Sequence, residues 1–240
     1  MPNPYFHFKQ FTVYHDRCAM KVTTNSCVFG AWVAREIQNA AQKIENVLDI
    51  GTGTGLLSLL IAQKNEVEID AVEIDRNAFE QAEENVSSSP WGSRIQVFNA
   101  DILQFGFFKK YDCIISNPPF YQNELASARE EKNMAHHSQQ LTISAVLDLI
   151  KSHLSKEGTF FLLVPAKRRV EIENMFRQKN LHVQQIVFLR QSVNHSPFRL
   201  LIMGSNSATL QACSDISICD AQQQYTREFV DLLKDYYLHL

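Results

Sequence analysis

The apolar run Val47-Leu48-Asp49-Ile50 meets Gly51-Thr52-Gly53-Thr54-Gly55 directly, and a second apolar stretch, Leu56 to Ala62, follows without a break. A short run of this kind suits a buried strand, the glycines allow a tight turn, and the second stretch suits a helix. The alternation then continues. Val67 to Val72 reads as a strand ending in Glu73-Ile74-Asp75, and Arg76 to about Val86 as a helix carrying Ala78 and Ala82. After the turn Ser87-Ser88-Ser89-Pro90 come a strand, Ile95 to Phe98, with Asn99-Ala100-Asp101 at its end, and another, Tyr111 to Ile115. Ile143, Val146, Leu147, Ile150 and Leu154 mark one helix face, and Gly158 to Val164 is a strand stopped by Pro165. Lys167 to Lys179 predicts a helix, Val183 to Leu189 and Phe198 to Met203 predict strands, and Thr226 to Leu238 a closing helix. Repeated strand–helix units require a mostly parallel sheet covered on both faces. The last two strands have no helix between them, which predicts an antiparallel pair at one sheet edge.

Ligands of such sheets bind at the carboxyl ends of the strands. The glycine loop, Glu73, Asp101 and Asn117 each follow a predicted strand, so they converge on one edge. The loop spacing is G-x-G-x-G, not the G-x-G-x-x-G of a dinucleotide site, and Gly55 is followed by Leu56 where a Walker loop needs Lys. Asp49, two positions before the first glycine, is awkward beside a pyrophosphate and useful beside a cation. Glu73 is placed to accept both ribose hydroxyls of a nucleoside, with Asp75 as the alternative acid.

Ser116-Asn117-Pro118-Pro119-Phe120-Tyr121 is a stiff turn, because two prolines lock φ and remove two N–H donors. It presents a carboxamide, backbone carbonyls and two aromatic rings. Those groups suit a planar ligand with an amino group, whose N–H hydrogens meet acceptors while a ring covers its face.

Before the glycine loop, residues 1–44 read as an N-terminal extension. Phe6, Phe8, Phe11 and Val13 alternate with polar residues, which predicts a hairpin, and Val28, Trp32, Val33 and Ile37 give helical spacing between Ser26 and Gln42. Residues 45–240 form the second unit. The net charge of -3 argues against non-specific wrapping of nucleic acid but leaves room for a local basic patch. Five cysteines without a C-x-x-C pair predict free thiols in a reducing cytoplasm, with no zinc site. The N-terminus lacks a signal-peptide pattern, and no apolar run has the length to span a bilayer.

With these residues assembled, Asp49-Ile50-Gly51-Thr52-Gly53-Thr54-Gly55 resembles the first motif of class I S-adenosylmethionine-dependent methyltransferases. That resemblance covers about residues 45 to 205. It implies the Rossmann-like fold of that class: a mostly parallel seven-stranded sheet with an antiparallel edge strand. It also implies S-adenosyl-L-methionine as cofactor, with Asp49, Gly51, Thr52, Gly53, Gly55, Glu73 and Asp101 as its contacts, Asp101 taking the adenine amino group. Asn117-Pro118-Pro119-Phe120 resembles the catalytic motif of amino-group methyltransferases, whose substrates include adenine N6, guanine N2 of ribosomal RNA and protein glutamine. The leader, Phe6-x-Phe8-Lys9-Gln10-Phe11-Thr12-Val13 with Asp16-Arg17-Cys18-Ala19-Met20-Lys21-Val22, narrows that choice. Together with Gly30-Ala31-Trp32 and Tyr225-Thr226-x-Glu228-Phe229, it resembles the bacterial tRNA1(Val) (adenine(37)-N6)-methyltransferase family over nearly the whole chain. This resemblance implies a valine tRNA as partner, Lys21 as a further cofactor contact and Tyr121 beside the base; a monomer without a metal is the expectation. Thr23-Thr24-Asn25-Ser26 departs from a Gly-Thr-Asp-Gly-like stretch of the family, and Ala135-His136-His137 from an Ala-Arg-His-like one. Candidate phosphate contacts are Lys167, Arg168, Arg169, Arg190, His195 and Arg199, joined by Arg129 and Lys132. A reading from a different class is a non-catalytic RNA-binding protein that responds to the cofactor.

Overall fold

The apolar runs become strands of one sheet because their residues alternate between two cores. In Asn46–Ile50 (β3), Val47 faces one core and Leu48 and Ile50 the other; Phe161 and Leu163 oppose Phe160, Leu162 and Val164 in Leu154–Pro165 (β7). The computed structural model describes residues 3–107, 109–118 and 141–240. Tyr5–His7 (β1) and Thr12–Tyr14 (β2) pair as an antiparallel hairpin ahead of Thr24–Asn39 (α1). After β3 come Leu56–Ala62 (α2), Glu68–Glu73 (β4), Arg76–Ser87 (α3), Ile95–Asn99 (β5) and Tyr111–Ser116 (β6). Ile143–His153 (α4) precedes β7, and Arg169–Gln178 (α5), His182–Ser192 (β8), Arg199–Ser205 (β9), Ala212–Cys219 (β10) and Arg227–Leu233 (α6) complete the described strands and α-helices.

The sheet order is β10-β8-β9-β7-β6-β3-β4-β5. Two details differ from the sequence expectation. Among the described residues the sheet has eight strands, not seven: Ala212–Cys219 is largely exposed along its first half, so it lacks the apolar run that marks a buried strand. The antiparallel strand is not at the edge, since β9 lies between β7 and β8 and opposes both, while β10 adds outside β8 in parallel.

One face carries α1, α2, α3, α6 and the hairpin, and the other carries α4 and α5. Helix starts follow local chemistry. The hydroxyls of Thr23, Thr142 and Thr226 and the carboxylate of Asp75 each accept from the N–H three residues on, satisfying one of the donors that a first turn leaves unpaired. The closing helix stops at Leu233, short of the predicted Leu238. Tyr236 nevertheless stays buried, its hydroxyl donating to Leu60 O at 3.1 Å.

Candidate active site

Three strands end level at the same sheet edge. Ile50 of β3 is in register with Val72 of β4 and with Ser116 of β6, and Ser116 Oγ donates to Ile50 O at 2.8 Å. The glycine loop leaves from this edge. The N–H groups of Gly51 and Thr52 donate to Val72 O at 2.9 and 3.2 Å, folding the loop back over β4. Gly51 and Gly53 have φ of 70° and 59°, and a Cβ added at either would meet nothing within 4 Å. The backbone there is both left-handed and open, so only glycine adopts it freely and a ligand can approach the chain closely. Gly55, with φ 79°, sets the first turn of α2.

Beneath the loop, Asp49 is fully buried. Its Oδ2 accepts from Thr52 Oγ1 and Ser58 Oγ, both at 2.7 Å, while Oδ1 is buried without a partner among the described residues. Burial pushes the carboxyl up to about 6, against the smaller pull of the two hydroxyls. A buried acid with one bare oxygen under an open loop is the complement of a cationic ligand, so these residues fit S-adenosylmethionine. Glu73 ends β4 and braces the same loop: its Oε2 accepts from Gly53 N and its Oε1 from Asp75 N, both at 2.9 Å. Burial raises its pKa, and the two backbone donors oppose that rise.

The other expected contacts are held locally. Asp75 Oδ1 accepts from Ala78 N at 2.9 Å as the cap of α3. Asp101 closes its own turn, accepting from Leu103 N at 2.9 Å and from Gln104 Nε2 at 3.0 Å. Lys21 is exposed and donates to His15 O at 3.0 Å.

At the end of β6, Pro118 is buried and Asn117 half-buried. The Asn117 Nδ2 lies 3.4 Å from Ser26 Oγ and 3.6 Å from Met20 Sδ, so the leader reaches the motif directly. Pro119, Phe120, Tyr121, Arg129, Lys132 and His137 lie outside the described residues.

Three residues that the sequence reading gave no role also build the site: Ser26, Ser58 and Asn85. The Asn85 carboxamide is 1% exposed; it accepts from Tyr14 N at 2.9 Å and donates to Tyr14 O and Thr54 O at 2.8 and 2.9 Å. It thereby splices β2 to the glycine loop. Its one signal in the sequence was a polar residue on the alanine face of α3, at Ala78, Ala82 and Asn85.

The basic candidates gather at the same edge. Pro165, the last residue of β7, pairs with Arg199, and Arg199 pairs with Leu189 beside Arg190. Arg168 pairs with Glu171 at 2.6 Å, and Arg169 with Glu173 at 2.8 Å while covering the Phe188 ring. Arg190 holds Asp215 at 2.7 Å and donates to His195 O at 2.9 Å. Burial lowers the pKa of Arg199, which donates to Phe198 O at 3.4 Å; Lys167 also makes contacts within the protein. These pairs are partly exposed, each with one side chain open to solvent.

The Methyltransferase small domain family matches residues 32–187. Among solved structures, a predicted O-methyltransferase of Agrobacterium tumefaciens superposes with TM-score 0.68 at 15% identity, covering 88% of this chain and 95% of that one. A glycopeptide N-methyltransferase crystallised with S-adenosylmethionine gives TM-score 0.55 at 10% identity over 74% and 94%. These likenesses concern the fold. Sequence relatives are nearer: a protein of Phocaeicola vulgatus is 38% identical over 240 residues, covering both chains completely. One from Klebsiella pneumoniae is 37% identical over 100% of this chain and 97% of its own, and one from Dyadobacter fermentans 43% over 83% and 81%. All three carry the same family name. The chain is an enzyme of the class I methyltransferase fold, and it belongs to the tRNA1(Val) (adenine(37)-N6)-methyltransferase family.

Proposed function

We propose that this enzyme transfers a methyl group from S-adenosylmethionine to N6 of adenine-37 in the anticodon loop of a valine tRNA. The observation that carries the reading is the Asn117-Pro118 turn at the end of β6, level with the glycine loop and its buried acid. The cofactor supplies an electrophilic methyl on a positively charged sulfur. Asp49 complements that charge from below, Glu73 offers carboxylate oxygens to the ribose, and Gly51 and Gly53 let the backbone come close. Asp101 serves the adenine end of the cofactor, and Lys21 and Asp75 stand at the margin.

An amino group conjugated to a base is a poor nucleophile because its lone pair is delocalised. Asn117 Oδ1 and the Pro118 carbonyl accept its two N–H bonds, which favours a tetrahedral nitrogen and localises the pair. Positioning and charge complementarity then supply most of the rate, and the proton leaves after transfer. Phe120 and Tyr121 provide ring faces for the base. An anticodon-loop adenine is unpaired, so swinging it out of its stack costs little. Lys167, Arg168, Arg169, Arg190 and Arg199 rim the mouth and meet tRNA phosphates. The leader, residues 1–44, is an extension on the methyltransferase domain of residues 45–240, and the protein works as a cytoplasmic monomer. Among the described residues no helix is long and apolar enough to cross a membrane, and no cluster of three metal-binding side chains occurs.

The test is incubation with labelled S-adenosylmethionine and unmodified tRNAs, followed by digestion to nucleosides. N6-methyladenosine in valine tRNA is expected. Label confined to ribosomal RNA or to a protein band would refute the assignment.

A further inference from the structure

The Asn117 side chain has two ends with opposite chemistry, and transfer to an amino group works with only one of them facing the substrate. The carbonyl oxygen accepts from the substrate nitrogen, whereas the amide NH2 would repel it. Rotating the carboxamide by half a turn exchanges the two ends with almost no change in shape, so something must select the working one.

The leader supplies the selection. Asn117 Nδ2 faces Met20 Sδ at 3.6 Å and Ser26 Oγ at 3.4 Å. A thioether sulfur has no hydrogen to donate, so the group beside Met20 has to be the NH2. Ser26 agrees with this polarity. It is 4% exposed, and its Oγ lies 2.8 Å from Thr23 Oγ1, which also accepts from Ser26 N as the cap of α1. The Ser26 hydroxyl can therefore pass its own hydrogen to Thr23 and keep a lone pair for Asn117. Both groups beside the NH2 are then acceptors, and among the described residues it is Oδ1 that is left for the substrate.

We infer that Met20 and Ser26 form a fork that fixes the orientation of the Asn117 carboxamide, making both positioning residues for methyl transfer. The inference rests on the amino-group reading given above. It also gives a role to the departure at Thr23-Thr24-Asn25-Ser26: a glycine at residue 26 would have no hydroxyl to offer, so in this chain the serine adds a tie to α1.

The test uses the full-length enzyme with Ser26→Ala and Met20→Leu, each made alone and in an Asn117→Asp background. Removing one acceptor should lower kcat about fivefold while KM for S-adenosylmethionine holds, the effect of losing one ordinary hydrogen bond. Aspartate has two equivalent oxygens and no orientation to choose. In that background the same two substitutions should change kcat less than twofold. A second readout needs no substrate. In protein labelled with 15N at asparagine, the side-chain NH2 signals of Asn117 are those that vanish in Asn117→Asp. They should shift and exchange faster with solvent in Ser26→Ala. An unaltered Asn117 amide signal, or an equal loss of kcat in both backgrounds, overturns the inference. If the wild-type enzyme labels no tRNA, the substrate assignment fails, and the amide spectrum still decides whether the fork exists.

Discussion

Replacing Asp49 by asparagine should weaken the cofactor site and strengthen the fold as pH rises. Burial raises this carboxyl from 3.8 to about 6, and its Oδ1 has no partner among the described residues. A folded-state pKa above the unfolded one means that the native protein holds a proton the unfolded chain has already released. Stability conferred by that proton is present below pH 4 and is lost as pH climbs through 6. Between about pH 4.5 and pH 7.5, the wild type should lose about 2 kcal/mol of stability through this one group. The Asp49→Asn variant has no such proton to lose. It carries its own fixed cost, an NH2 buried where Oδ1 had no partner, but that cost does not change with pH. The informative quantity is therefore the difference in unfolding free energy between variant and wild type, from urea melts at several pH values. It should move in favour of the variant by about 2 kcal/mol across that interval. At pH 7.5, calorimetric binding of S-adenosylmethionine should weaken about tenfold, the smaller end of the effect expected for an opposite charge at short range. A difference flat to within about 0.5 kcal/mol, smaller than a single ordinary hydrogen bond, would refute the claim that Asp49 is held charged at a cost in a dry site. Unchanged cofactor affinity would refute its role beneath the loop.

Other expectations follow from the same geometry. Asn117→Ala should lower kcat about 100-fold or more with cofactor affinity intact, measured by tRNA methylation beside calorimetry. Glu73→Ala removes the acceptor for Gly53 N and the acid offered to the ribose, so it should weaken cofactor binding about tenfold or more; unaltered affinity would count against that assignment. Gly53→Ala places a side chain at φ 59° in otherwise open space, so it should cost about 1 kcal/mol in urea melts. Binding of tRNA should fall steeply between 50 and 200 mM salt, and Arg190→Ala should make the logarithmic slope shallower by about one unit. An identical slope for that variant would remove Arg190 from the RNA surface.

Much of the fold was legible because parallel strands buried on both faces are written as nearly continuous apolar runs. Val47 to Ile50, Tyr111 to Ile115 and Gly158 to Val164 announced themselves that way, and the helices followed from their spacing. Ala212–Cys219 did not, because an edge strand keeps polar residues and needs only a partner's backbone. The place of β9 between β7 and β8 was equally hidden, since chain order does not state which strands become neighbours.

The site divides along the same line. Residues that must be of one type wherever they occur were visible in the sequence alone: the glycines at 51 and 53, the acid at 49, and Asn117 with its prolines. Their types follow from backbone geometry, charge and hydrogen-bonding capacity, which act locally. Tertiary structure alone decided that Asp75 and Asp101 spend hydrogen bonds on their own turns, and that Asn85 splices β2 to the glycine loop. It also brought Ser26 within 3.4 Å of Asn117, 91 positions further along the chain. Serine and asparagine are polar anywhere, and only folding determines which partner satisfies them.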